Sequence, residues 1–141
     1  MEVYLASAAG LLSWCGKWRK IPAPLAHPTL LAACGADVAL ADSVNRLLYR
    51  QGRISTLPPG VEVLRCWRNQ LLTLSSETNC LTLYDAHDYP LVTSPAGIRP
   101  CDCVVVDCQV LVCGCEDGCL HIFSLPDLRE IAAYPVPGCP M

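Results

Sequence analysis

QLLTLSSETNCLTLYD (70–85) and QVLVCGCEDGCLHIFS (109–124) align without a gap at a constant offset of 39 residues, from Gln70 to Gln109. The alignment pairs Leu71 with Val110, Thr73 with Val112, Asn79 with Gly118, Leu81 with Leu120, Leu83 with Ile122 and Tyr84 with Phe123. Self-similarity at one spacing marks an array of a single supersecondary unit. Each copy is an apolar alternating run, a polar segment with Asn or Gly where positive φ is needed, and a second alternating run, which is the pattern of a β-hairpin. In the later copy Glu116-Asp117-Gly118 supplies the turn, because Asp and Gly tolerate a left-handed backbone.

Two fainter copies lie upstream. DVALADSVNRLLYR (37–50) puts Asn45 in the turn slot and Tyr49 in the aromatic slot, with one residue of slippage. VYLASAAGLLSW (3–14) puts Gly10 in the turn slot and Trp14 near the aromatic slot. Further apolar runs precede the hairpins at 30–34, 61–67 and 103–106, and less regular ones follow at 54–57, 91–93 and 130–134. Each unit therefore reads as three or four short antiparallel strands, with Pro and Gly punctuating the joints at 58–60, 95–100 and 135–140. No window sustains a helical period; 41–49 comes nearest. The expected fold is all-β: a single repeat domain over 1–141 with units near 1–25, 26–59, 60–97 and 98–141. A unit of this size is the mark of a β-propeller, partial or small, with a β-sandwich as runner-up.

With 52% hydrophobic and 16% charged residues, the 141-residue chain can bury a substantial core. A net charge of -3 gives no general attraction to nucleic acid or to anionic membrane, so neither is an expected partner. No apolar run has the length of about 18 residues that a spanning helix needs. The opening MEVYLASAAGLLSWCG has only Glu2 where a secretory signal carries basic residues, so a cytoplasmic location is expected. Eleven cysteines cannot all pair internally, and reduced thiols are expected in that compartment.

Six of those cysteines crowd into CDCVVVDCQVLVCGCEDGCLHIF (101–123). Zinc sites favour C-x2-4-C knuckles on turns, whereas the pairs here are C-x-C, whose side chains lie roughly 6.5 to 7 Å apart on a strand. Cys115, Cys119 and His121 straddle the turn and are the weak candidates for a metal. The equivalent positions of the earlier copy do not repeat that set, however, and thiols commonly pack as small hydrophobes. No metal and no cofactor are expected.

Two other groups stand out as ligand or partner sites. Arg65, Trp67 and Arg68 place two cations beside an indole, suited to anionic or aromatic partners, and KWRK (17–20) does much the same. Asp85, His87 and Asp88 set two carboxylates around an imidazole, although a polar loop between outer strands explains them equally. No nucleophile elbow, P-loop or dinucleotide fingerprint occurs, and no catalytic residue is assigned.

Gly97-Ile98-Arg99-Pro100 followed by the cysteine-rich run resembles the YVTN-type repeat of bacterial β-propellers: a Gly-x-x-Pro joint, an alternating Val strand, a second strand, a polar turn and a third strand ending in an aromatic. It is similar, more loosely, to WD repeats. The name-giving tetrapeptide is absent, and the third unit has Pro58-Pro59-Gly60-Val61 at its joint. The resemblance implies a bacterial propeller of the lactonase-like superfamily. The expected function is a non-enzymatic binding or assembly module, completed by self-association or by a protein partner through blade edges, with a small ligand also possible. The alternative is a lactonase-like hydrolase acting on a small lactone. That reading calls for His, Arg and Glu at equivalent loops of successive units, which these units do not repeat.

Overall fold

The computed structural model describes residues 3–7, 10–14, 18–21, 25, 28–34, 37–97, 99–113 and 116–136. Among them the chain forms fifteen β-strands and no helix. Strands β1 (Val3–Ser7), β2 (Gly10–Trp14) and β3 (Trp18–Ile21) make a three-stranded sheet. Three four-stranded sheets follow: β4 (Leu30–Cys34), β5 (Asp37–Asp42), β6 (Leu47–Arg50) and β7 (Arg53–Thr56); β8 (Val61–Trp67), β9 (Gln70–Ser75), β10 (Cys80–Tyr84) and β11 (Pro90–Pro95); β12 (Asp102–Val106), β13 (Gln109–Cys113), β14 (Cys119–Ser124) and β15 (Glu130–Pro135). Every sheet is an antiparallel meander in chain order. The chain divides into two compact units, Met1–Pro59 and Gly60–Met141.

Alternation along the strands builds the core of the second unit. Because successive side chains point to opposite faces, β9 and β10 put Leu72, Leu74, Leu81 and Leu83 on one side, in register as Leu74 with Leu81 and Leu72 with Leu83. Val63 of β8 joins them. Cys103, Val110, Val112 and Phe123 of the last sheet face this layer, and Ala96, Leu125 and Leu128 close its ends. In the first unit, Leu25 and Leu40 are packed with Leu31, Val38, Leu47 and Tyr49.

The turns follow the repeat with two corrections. Asn79 and Gly118 both take the left-handed conformation expected of them, with φ of 58° and 73°. In the second sheet the left-handed residue is Arg46, at φ 57°, one position past the expected Asn45. Asn45 is otherwise occupied: its backbone N–H donates to Asp42 Oδ1 at 2.9 Å and its side-chain amide to Asp42 Oδ2 at 2.8 Å. Ser75 plays the part of Asp42 in the next sheet, its Oγ accepting the Thr78 N–H at 3.2 Å. Gly10 begins β2 rather than occupying a turn.

Gly60 is required by its surroundings. Its φ is +73°, and a Cβ there would lie 2.3 Å from the Glu77 Cβ. The close approach lets the Gly60 carbonyl accept the Ser76 N–H at 3.1 Å.

The thiols depart from the expectation of small buried hydrophobes. Of the described free cysteines only Cys103 is buried; Cys80 and Cys119 are half-buried, and Cys101, Cys108 and Cys113 are exposed. Strand position explains the difference: Cys103 alternates onto the covered face of its sheet, whereas Cys101 and Cys108 flank β12 and Cys113 ends β13. Cys66 departs from the expected reduced state, being disulfide-bonded. No helix among the described residues is long and apolar enough to cross a membrane.

Candidate functional site

Arg65, Trp67 and Arg68 come together where β8 runs beside β12. Positions 63, 65 and 67 share one side of β8 by alternation, the side facing the last sheet. Arg65 is committed at every nitrogen: Nε donates to the Cys103 carbonyl at 3.0 Å, Nη1 to the Leu64 carbonyl at 3.0 Å and Nη2 to Asp102 Oδ1 at 3.2 Å. Asp102 Oδ1 also accepts the Cys103 N–H at 2.8 Å. Two residues further on, Trp67 Nε1 donates to the Asp107 carbonyl at 2.8 Å. The Arg68 guanidinium stacks 4.9 Å from the Trp67 ring centroid and reaches Cys108 Sγ at 3.7 Å. Arg68 and Asn69 both have positive φ, at 48° and 64°, which is the two-residue primed turn that suits a twisted hairpin. The three residues thus fasten one sheet to the next, with Arg68 left exposed in the turn between β8 and β9.

Asp85, His87 and Asp88 form the connection from β10 to β11. Asp85 Oδ1 accepts the N–H groups of His87 at 2.8 Å and Tyr89 at 3.0 Å, while the Asp85 carbonyl accepts the Asp88 N–H at 3.1 Å. The carboxylate therefore organises its own turn, and Asp88 takes a φ of 67° within it. His87 is exposed. Antiparallel register carries this loop to the same end of the sheet as the Arg68 turn, since Tyr84 pairs with Leu71 and Trp67 with Gln70. The last sheet brings its 107–108 turn and its 125–129 loop together in the same way, joined by Leu125 N–H to the Cys108 carbonyl at 2.9 Å.

Of the metal candidates, Cys115 lies outside the described residues. Cys119 is a free, half-buried thiol. His121 has another use: Nε2 is 2.7 Å from Asp117 Oδ2 and Nδ1 is 2.5 Å from Glu130 Oε1. Its side chain is only 12% exposed, and burial alone opposes a charge on the ring; the hydrogen bonds to Glu130 and Asp117 outweigh it and raise the His121 pKa. Asp117 is held below the usual carboxylate range, chiefly by the Cys119 backbone N–H and also by His121. Both ring nitrogens are thus already engaged by carboxylates. No group of three potential metal ligands occurs among the described residues. The sequence read Asp117 only as a turn residue and Glu130 only as the start of an outer run; the repeat places His121 where the earlier copy has Thr82, which pairs across the strands with Thr93 at 3.2 Å between hydroxyls. The side chains of Trp18, Arg19 and Lys20, and Lys17 itself, lie outside the description.

The last sheet turns a second, apolar face outward. Val104 and Leu111 are in register, as are Leu111 and Ile122, and Leu120 with Tyr134. Val104, Val106 and Tyr134 are 48%, 49% and 56% exposed. Register also fixes their counterparts. Trp67 pairs with Gln70 as Val106 pairs with Gln109, so Val104 and Val106 stand where the preceding sheet has Arg65 and Trp67, and Leu111 and Ile122 stand where it has Leu72 and Leu83.

No protein-family model and no curated protein matches this sequence. Solved structures do. The WD-repeat protein U3-55K superimposes with a TM-score of 0.71 at 14% identity, over 95% of this chain and 48% of that one. Virginiamycin B lyase from Staphylococcus aureus gives 0.69 at 11% identity, over 96% of this chain and 52% of that one. The computationally designed Ika8 protein gives 0.71 at 11%, over 91% and 44%. The sheets are β-propeller-like blades. At such identities the likeness is one of fold alone. The chain spans about half the length of U3-55K and of the lyase. Within the second unit, one blade clasps the next through Arg65 and Trp67, and the outermost blade presents the equivalent face to solvent.

Proposed function

We propose that the chain is a non-enzymatic binding or assembly module of YVTN-like propeller blades, completed by self-association or by a protein partner. The observation that carries the reading is the apolar outer face of the last blade, with Val104, Val106 and Tyr134 each about half exposed. A blade face of this kind is ordinarily buried against a neighbour, and an open one invites association. Arg68, His87 and Asp88 at the loop end, behind which Arg65, Trp67 and Asp85 act as supports, are the proposed polar contacts for a partner or small ligand. A lactonase-like hydrolase finds less support, because His121 spends both nitrogens on carboxylates and His87 is an exposed loop residue. The six free thiols among the described residues fit a cytoplasmic setting, and the Cys66 disulfide does not.

A photo-crosslinking amino acid at position 106, in the protein expressed in cells, tests the reading. Specific crosslinks to any protein, itself included, are expected. An uncrosslinked chain, or turnover of a panel of small lactones by the purified protein, overturns it.

A further inference from the structure

Two of the exposed free thiols, Cys101 and Cys113, share the open end of the β12–β13 hairpin. Asp102 is in register with Cys113, and the N–H of the preceding Cys101 donates to the Cys113 carbonyl at 3.2 Å. Two successive residues thus oppose one, the count of a β-bulge, which interrupts the alternation that would otherwise turn Cys101 away from its neighbour. Facing Cα atoms of an antiparallel pair lie roughly 4.5 to 5.5 Å apart, inside the range of about 4.4 to 6.8 Å that a disulfide spans. The thiols also sense each other: burial, then Asp102, then Cys101 push the Cys113 pKa up. The remaining thiols of this hairpin that are described have no such arrangement, since Cys108 lies in the turn at the opposite end and Cys103 is buried on the covered face.

We propose that Cys101 and Cys113 are a redox-active dithiol, which takes a small disulfide of the glutathione class as its oxidant and closes reversibly into a disulfide within the chain. The Cys101 thiolate attacks one sulfur of the oxidant, forming a mixed disulfide and expelling one thiolate. The Cys113 thiolate then attacks the Cys101 sulfur, closing the S–S bond of the protein and expelling the second. The pair gives up two electrons and two protons, and the oxidant leaves as two thiols. Cys113 acts second because its raised pKa leaves less of it as the attacking thiolate. Exposure of both residues admits the oxidant. Asp102, which opposes Cys113 beside Cys101, holds Arg65 of the preceding blade at 3.2 Å, so the crosslink ties down the segment that carries this joint.

Equilibration of the full purified chain in glutathione buffers of rising oxidised fraction, followed by acid quenching and alkylation of the remaining thiols, tests the proposal. A protease that cuts before Asp102 and Asp107 separates Cys101 from Cys103 and Cys113, so that mass spectrometry reads each pairing. Wild type is expected to lose its alkylatable thiols at Cys101 and Cys113 together, over one midpoint, as a crosslink within a single molecule, and to regain both in reduced glutathione. Cys113→Ser should accumulate glutathione on Cys101 at least tenfold above wild type, and Cys101→Ser should abolish the crosslink, whereas Cys108→Ser and Cys115→Ser leave it unchanged. Circular dichroism of the variants separates a lost crosslink from a lost fold, and the wild-type titration decides without them. Wild type that retains glutathione on Cys101 without closing, or that joins Cys101 to Cys115 or to a second molecule instead, overturns the proposal.

Discussion

The Arg65 Nε–H donates to the backbone carbonyl of Cys103 at 3.0 Å, so that a side chain of one blade completes the hydrogen bonding of the next blade's first strand. Asp102, immediately before, takes the other end of the same guanidinium. Arg65→Ala should therefore cost about 1–2 kcal/mol, the range for hydrogen bonds to a charged group reduced for partial exposure. Arg65→Lys should recover little of it, because an ammonium cannot reproduce the planar fork. Urea denaturation of the three proteins measures both.

Burial predicts different reactivities for the thiols. Desolvation pushes the Cys103 pKa up to about 12, although Arg65 works against it, and the side chain is 2% exposed. Under native conditions at pH 8, iodoacetamide should modify Cys101 and Cys108 and leave Cys103 intact. Peptide mass spectrometry reads the order directly, and early modification of Cys103 would contradict the packing.

The clamp around His121 makes stability depend on pH with a definite sign. A raised folded-state pKa means that the contribution is fully present below the unfolded value of about 6.5 and is lost as pH rises through the folded value. The lowered Asp117 contributes oppositely, being present above about 3.9 and lost as pH falls through its folded value. Relative to His121→Gln, wild type should lose stability on going from pH 6 to pH 9. Parallel curves for the two proteins in thermal unfolding would dismiss the clamp.

Two glycines with almost the same backbone separate conformational strain from collision. Gly52 has a φ of +75° and nothing within 4 Å of a built Cβ, while Gly60 at +73° has Glu77 at 2.3 Å. Gly52→Ala should cost about 1 kcal/mol, the left-handed penalty for a side chain. Gly60→Ala should cost clearly more, because the chain around Glu77 must also move. Equal losses in denaturant midpoint would refute the close approach.

In the core, Phe123→Ala should cost about 3–5 kcal/mol, enough to unfold a marginal domain. Phe123 is 1% exposed, packed in the core with the leucine layer of β9 and β10. Circular dichroism and a lowered denaturant midpoint report it.

The offset of 39 residues between Gln70 and Gln109 made the strands, their order and the left-handed turns at Asn79 and Gly118 legible, because alternation and turn chemistry are local properties. The slot at Asn45 shifted by one because Asp42 captured that side chain, a choice between two adjacent polar residues that pattern does not make. Arg65 and Trp67 read as a binding pair on chemistry alone. Their role as fasteners depends on which strand lies opposite β8, a non-local fact. The Asp117–His121–Glu130 clamp was hidden for the same reason: its members come from a turn, a strand and the neighbouring strand, and only pairing brings them together. The exposed cysteines were misjudged because composition cannot tell a flanking turn or strand end, where Cys101, Cys108 and Cys113 sit, from the covered face of a sheet.

Arg65 and Trp67 do more than hold two blades together. Directed hydrogen bonds to the carbonyls of Cys103 and Asp107 allow one crossing angle and few others, so the internal joint is keyed. At the same positions of the outer face, Val104 and Val106 offer adhesion without direction. A contact made there can tolerate a spread of angles. Such latitude would let surfaces of more than one shape seat there, where a rigidly keyed joint admits a single geometry.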